Sequence, residues 1–254
     1  MKLLKAMAIA FSIYSKIPVP QFEWKEEDME YMMCFFPWSG GVIGMFFFGW
    51  AVLCEKFAVG NVCYALIGAA IPLMISGGFH VDGYMDTMDA FHSYQSREKK
   101  LEILKDSHIG AFAAIMLALY YMIDIAAISE IHTQKAVSAL TAVFFLARCF
   151  SGIAVMTLQP AKKEGLLYTF ASSAQKVRVK AALYFQAALC VAIMLLVSGW
   201  YGAAAIGAAL LSFFYFKKKS YKELGGITGD TAGFFVTVCE AAAAAAVAVA
   251  GYFL

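Results

Sequence analysis

The sequence predicts an all-α protein: a polytopic membrane bundle of about seven transmembrane helices, preceded by an N-terminal interfacial helix. Three observations carry this. The chain is 62% hydrophobic and only 15% charged, where a soluble domain carries roughly a quarter charged residues. Its apolar residues gather in seven stretches, each near the ~20 residues that cross a bilayer. Its Lys and Arg residues fall almost entirely in alternate connections between those stretches. Residues 1–254 are therefore expected to form a single integral membrane domain. The six cysteines lie mostly in apolar stretches without a C-x-x-C pair, so they read as small core residues and not as a disulfide framework or zinc site. Lys5 interrupts the first apolar run and no small-residue cleavage site follows, so no signal peptide is expected.

Leu3, Met7, Phe11 and Tyr14 recur at helical spacing among Lys2, Lys5 and Lys16, the pattern of an amphipathic helix in the interface. Ile17-Pro18-Val19-Pro20 ends it, and an acidic stretch from Glu23 to Glu30 follows. The apolar stretches run at about 35–54, 61–79, 109–129, 136–157, 181–198, 200–216 and 233–254. The sixth is short, and the fifth and sixth also suit a hairpin turned at Gly199. Pro72 and Gly77-Gly78 mark a break in the second. With seven spans, residues 1–34 and the 80–108, 158–180 and 217–232 loops share one side and carry seventeen Lys and Arg; the other side has Lys56 and Lys135. That asymmetry places the N-terminus and the four segments in the cytoplasm, in a cell (inner) membrane.

The chemistry is expected in these loops. Asp82, Asp86 and Asp89 sit at offsets 0, 4 and 7, within about 60° of one another on a helix. Stacked like charges repel. A hard divalent cation that also holds a phosphorylated substrate resolves the conflict; the alternative is a solvated acidic turn. His80, beside Asp82, is a candidate substrate contact. In the 97–104 segment, Leu101 and Leu104 suggest a surface helix, with Glu98, Lys99, Lys100 and Glu102 as solvated charges. Lys105 and Asp106 lie where the third span begins and are placed to return to the acidic site.

The last loop, residues 225–233, combines Gly225, Gly226 and Gly229 with Thr228, Asp230 and Thr231. Glycines let backbone N–H groups approach an anion, the threonines add hydroxyls, and Asp230 adds a hard oxygen ligand. The competing reading is a turn feeding the last helix, with Thr231 or Asp230 as its N-cap. Inside the spans stand Asp124, Arg148 and Glu240. Each needs a partner, a neutral form or a wet cavity, because an ionised group at mid-bilayer costs about 2.5–3.5 kcal/mol. Arg148 suits either a phosphate or an ion pair with Glu240.

Residues 77–91 (GGFHVDGYMDTMDAF), 105–112 (KDSHIGAF) and 225–233 (GGITGDTAG) together resemble the cobalamin synthase (adenosylcobinamide-GDP ribazoletransferase) family. So do Phe11-Ser12 through Pro20, Phe35-Phe36-Pro37 through Gly44, and Lys163-Glu164-Gly165, which extends the resemblance over essentially the whole chain. One departure is Ala90-Phe91-His92-Ser93-Tyr94, where the family usually continues into a Gly-rich stretch. The resemblance implies a Mg²⁺-dependent membrane enzyme of cobalamin nucleotide-loop assembly. Such an enzyme joins adenosylcobinamide-GDP to α-ribazole, or to its 5′-phosphate, and releases GMP.

On that footing Asp82, Asp86 and Asp89 are expected to hold Mg²⁺. Asp82, Asp106, Asp230 and Lys105 are the catalytic candidates, and His80, Arg148, Gly226, Thr228, Gly229 and Thr231 the substrate-binding ones. All five aspartates stay open to either ligand or base. The expected partners are the two substrates and the lipid bilayer, with no nucleic acid; a homo-oligomer stays open. CDP-alcohol phosphotransferases and prenyltransferases share the chemistry. The former expect Ala-Arg shortly after Asp-Gly, where this chain has Tyr84-Met85 after Asp82-Gly83, and the latter usually carry two Asp-rich loops. A transporter, the other alternative, concentrates its charges at mid-bilayer, whereas these carboxylates lie at one surface.

Overall fold

The computed structural model describes residues 2–253 apart from Gln21, Phe22, Trp24 and Lys163. Of the basic residues counted above, Lys163 therefore lies outside the described residues. The described residues form eleven α-helices: α1 (Lys2–Tyr14), α2 (Met32–Phe57), α3 (Asn61–Ser76), α4 (Phe79–His92), α5 (Arg97–Ile103), α6 (Ala111–Ile128), α7 (Gln134–Thr157), α8 (Leu166–Ser173), α9 (Lys176–Ser198), α10 (Trp200–Leu224) and α11 (Gly229–Gly251). One short 3-10 turn, Glu26–Met29, precedes α2.

The bundle is built around α7, which packs against α2, α9, α10 and α11. Gly40 and Gly44, one turn apart on α2, explain its closest crossing. A Cβ on Gly40 would lie 2.0 Å from the Phe144 carbonyl oxygen, and one on Gly44 would lie 2.5 Å from that of Thr141. Small residues at this spacing let helix backbones meet where lipid supplies no hydrophobic drive to pack. On the other side Arg148 of α7 is buried and donates from Nη1 to Glu240 Oε1 of α11 at 2.6 Å and to the Phe144 carbonyl at 2.7 Å. Large apolar side chains such as Phe46, Leu66, Met122, Leu196 and Leu211 point outward from α2, α3, α6, α9 and α10, which suits a lipid surround.

Of the expected spans, α2, α6, α7, α9 and α11 are each long and apolar enough to cross a membrane. The second stretch breaks at Gly77-Gly78, both in the left-handed region, and α3 and α4 qualify only together, bent by 97°. Lys16 packs so closely that a Cβ on Gly77 would lie 2.3 Å from its side chain. The sixth stretch does not qualify; its aromatic, glycine and lysine content dilutes an otherwise apolar helix. It still runs back along the bundle as α10, joined to α9 through Gly199 alone (φ +56°). Gly202 lies against the Met194 carbonyl to close that hairpin.

Contacts sort the connections by end. At one end, Lys16 N–H bonds the Ile75 carbonyl, Gln175 N–H bonds the Glu30 carbonyl, and Ala161 and Ile227 are joined backbone to backbone. At the other, Asn61 reaches Ser129, Tyr64 reaches Ile131, and Tyr252 reaches Glu130. The four basic segments meet at the first end. Two expectations change. In α1 the packed residues are Ala6, Ile9, Ala10 and Tyr14, while Leu3 and Met7 stay exposed; the small Ala6 and Ala10 set the face that packs closely. Lys100 is a buried charge and not a solvated one: it pairs with Glu223 at 2.5 Å. The reason is that α10 continues past its apolar stretch and lays its last turn over α5.

Candidate active site

A cavity of about 570 Å³ opens at the end where the basic segments meet, with walls from α1, α2, α4, α7, α8, α11 and the loops beside them. Two glycines set its floor. A Cβ on Gly83 of α4 would lie 2.8 Å from the Asp230 carbonyl oxygen, and one on Gly233 of α11 would lie 3.1 Å from that of His80. The two helices therefore touch backbone to backbone. Asp82 and Asp230, each beside this crossing, come to one wall although 148 positions separate them. Lys105 and Lys162 join the same cavity. Lys162 is half-buried and donates to the Leu101 carbonyl at 2.7 Å; burial and the neighbouring Lys105 lower its pKa, against the pull of Asp230 and Glu164. At the mouth Lys105 pairs with Glu164 at 2.6 Å, which holds the Glu164 carboxyl below its ordinary range.

The first acidic motif divides. The carboxylates of Asp82 and Asp86 make no hydrogen bond or ion pair among the described residues, and Asp86 sits in the combined negative field of Asp82, Asp230 and Asp89. Asp89 turns away from the cavity. Its carboxylate accepts from the backbone N–H of Gly110 at 2.7 Å and of Ala113 at 2.8 Å, meeting the open donors of the first turn of α6. Gly110 is required there, since a Cβ would lie 2.5 Å from the Asp89 carboxylate oxygens. The expected trio does not converge: among the described residues no group of three or more His, Cys, Asp or Glu is placed to hold a metal ion.

The last motif also divides. Thr228 is the N-cap of α11: its hydroxyl accepts from Thr231 N–H at 3.1 Å, while the Thr231 hydroxyl accepts from Thr228 N–H at 2.8 Å. This reciprocal box buries Thr231, so the cap is Thr228 where the sequence suggested Thr231 or Asp230. Thr228, Gly229 and Asp230 line the cavity. Gly226 serves a close approach instead, since a Cβ there would lie 2.6 Å from the Gln159 carbonyl.

His80 lines the cavity. Asp106 and Arg148 do not. Asp106 closes a turn, accepting from His108 N–H at 3.1 Å and bonding its Nδ1 at 2.6 Å. That contact lowers the Asp106 pKa and raises that of His108. Arg148, of its two expected partners, has Glu240. Two sets of lining residues were not singled out from the sequence as site residues. One is Lys162, whose only signal was membership of a basic loop. The other is an aromatic group of Tyr14, Phe36, Phe79 and Phe170, drawn from four separate helices.

A family profile described as cobalamin-5-phosphate synthase matches residues 6–248. An adenosylcobinamide-GDP ribazoletransferase of Lachnoclostridium phytofermentans is 43% identical over 98% of this chain and 95% of its own length. One of Clostridium botulinum is 30% identical over 94% of both chains, and one of Azorhizobium caulinodans 29% over 95% and 94%. No solved structure matches. With a match across nearly its whole length and relatives this close, the chain belongs to the cobalamin-5-phosphate synthase family.

Proposed function

We propose that this chain is an adenosylcobinamide-GDP ribazoletransferase of cobalamin nucleotide-loop assembly. The observation that carries the reading at the site is the Gly83–Gly233 crossing, which brings Asp82 and Asp230 together beside Lys105 and Lys162 in one cavity. A hydroxyl oxygen of the ribazole attacks the phosphorus on the cobinamide side of the pyrophosphate. The new P–O bond forms as the bond to the GMP oxygen breaks, and the hydroxyl proton passes to Asp82 or Asp230. Lys105 and Lys162 neutralise the leaving phosphate, and the α11 N-terminus adds its positive end at Gly229 and Asp230. Displacements of this kind depend on positioning and charge neutralisation more than on covalent catalysis.

Asp82 and Asp86 would hold Mg²⁺, a two-carboxylate set completed by the substrate's phosphates. The donors fit, because Mg²⁺ binds through one or two carboxylates with phosphate oxygens and water, and the Asp82 and Asp86 carboxylates have no hydrogen-bond or ion-pair partner among the described residues. When bound, the ion supplies charge neutralisation at the pyrophosphate. Asp89 acts as the anchor of α6. The basic end faces the cytoplasm of a cell (inner) membrane. The test is GMP release by purified protein given adenosylcobinamide-GDP, Mg²⁺ and either α-ribazole or its 5′-phosphate. GMP is expected with at least one acceptor and is lost on chelation; folded protein that releases none with either disproves the reading.

A further inference from the structure

The charged wall of the cavity accounts for phosphoryl transfer but leaves the aromatic group unused. Tyr14 of α1 stands at its centre, with ring centroids 4.2 Å from Phe36 of α2, 5.2 Å from Phe79 of α4 and 6.5 Å from Phe170 of α8. His80 lies within this group, 6.0 Å from Tyr14 and nearly parallel to it. Its Nε2 is buried and has no hydrogen-bond partner among the described residues, and an orphaned buried polar atom is costly unless a ligand completes it. The Tyr14 hydroxyl is directed at the Met33 sulfur at 3.9 Å.

This wall is selective by what it lacks. Among the described lining residues there is no Asn or Gln, and both aspartates stand at the Gly83–Gly233 crossing. A purine placed against the rings would leave most of its polar edge unpaired there, at a desolvation cost for each group so buried. A volume of about 570 Å³ takes a drug-sized ligand, whereas a corrinoid is far larger.

We propose that the aromatic wall is the seat of the acceptor's base: it takes a planar, largely apolar fused heterocycle with one unsubstituted ring nitrogen, the benzimidazole of an α-ribazole, with His80 Nε2–H donating to that nitrogen. The inference rests on the reading above that a ribazole is the acceptor. It adds a division of the cavity into a stacking end and a transfer end, so that a base seated on the rings presents its ribose to Asp82 and Asp230. Base-on-aromatic stacking is tolerant of ring identity; the single donor within the aromatic group supplies the selection.

Equilibrium dialysis of radiolabelled α-ribazole against purified protein in nanodiscs, without donor substrate, tests it directly. Phe170→Ala and, on the cavity rim, Phe79→Ala are each expected to weaken α-ribazole binding about tenfold, with KM for adenosylcobinamide-GDP changed less than about twofold. Phe170 lies on the short α8 and Phe79 is partly exposed, and size-exclusion chromatography reports their folding. His80→Phe keeps an aromatic ring and removes the donor, so it is expected to weaken α-ribazole but not an indole riboside, which lacks the acceptor nitrogen. Unchanged α-ribazole binding in both Phe variants overturns the proposal. So does adenosine competing as well as α-ribazole, and so does an equal loss of affinity for both substrates. Wild-type protein that binds α-ribazole as described but releases no GMP supports the pocket and removes the ribazoletransferase reading. Protein that releases GMP but binds no α-ribazole does the reverse.

Discussion

At the scale of single residues, identical side chains have been given different work. Among the described residues the Asp82 and Asp86 carboxylates have no partner and Asp82 lines the cavity, whereas Asp89 accepts from two backbone N–H groups and Asp106 is engaged by His108. Asp82→Asn should therefore lower GMP release by about 100-fold or more, while Asp106→Asn stays within about twofold. The same Asp106→Asn protein should show the His108 titration, followed by NMR, falling back toward the ordinary imidazole range, because the carboxylate contact is what raises it. Lys162 was only one of many basic residues in the sequence, yet it reaches the cavity and lies near Asp230. Lys162→Ala is expected to cost about 100-fold or more in activity, the order seen when one preorganised donor to a transition-state charge is removed.

At the scale of elements, the site depends on two helix junctions and one buried ion pair. Asp89 holds the start of α6, so Asp89→Ala should destabilise the protein by about 0.5–2 kcal/mol, read as a lowered thermal midpoint. Arg148–Glu240 ties α7 to α11 deep in the bundle. Glu240→Ala leaves a buried cation without its counter-charge and should cost about 3–5 kcal/mol, whereas replacing both residues with Leu should cost far less. A substrate-binding Arg148 would instead lose activity in every variant, including the double one. The Gly83–Gly233 crossing has no such remedy, because the atom a Cβ would meet is backbone.

At the scale of the molecule, the four basic segments belong to one end by direct contact, independently of any charge count. The α10 tail is the part that hydropathy describes least well: it falls short as a span yet closes the basic end through Glu223 and Lys100. A cysteine introduced by Ser96→Cys, at the N-cap of α5, should react in intact cells only with membrane-permeant reagents. Labelling by an impermeant reagent would reverse the proposed orientation.

What the sequence determined by itself was whatever is written in local spacing and composition. Apolar run length defined the helices, Gly77-Gly78 and Gly199 marked the break and the hairpin, and the motif residues Asp82, Lys105, Thr228, Gly229 and Asp230 do line one cavity. Tertiary structure alone decided which equivalent residues were consumed elsewhere. Asp89 and Asp82 share a helix face, but only the position of the α6 N-terminus makes one an anchor and leaves the other open. Lys100 reads as solvated until α10 covers it, and Arg148 suits a phosphate until Glu240, 92 positions away, reaches it. Tyr14, Phe36 and Phe79 stand in stretches the sequence singles out, but their meeting with Phe170 in one wall left no trace there, because the rings come from four separate helices. Helical periodicity records which residues share a face; which partner that face meets is set by backbone approaches between distant segments, at glycines whose role is visible only once the helices cross.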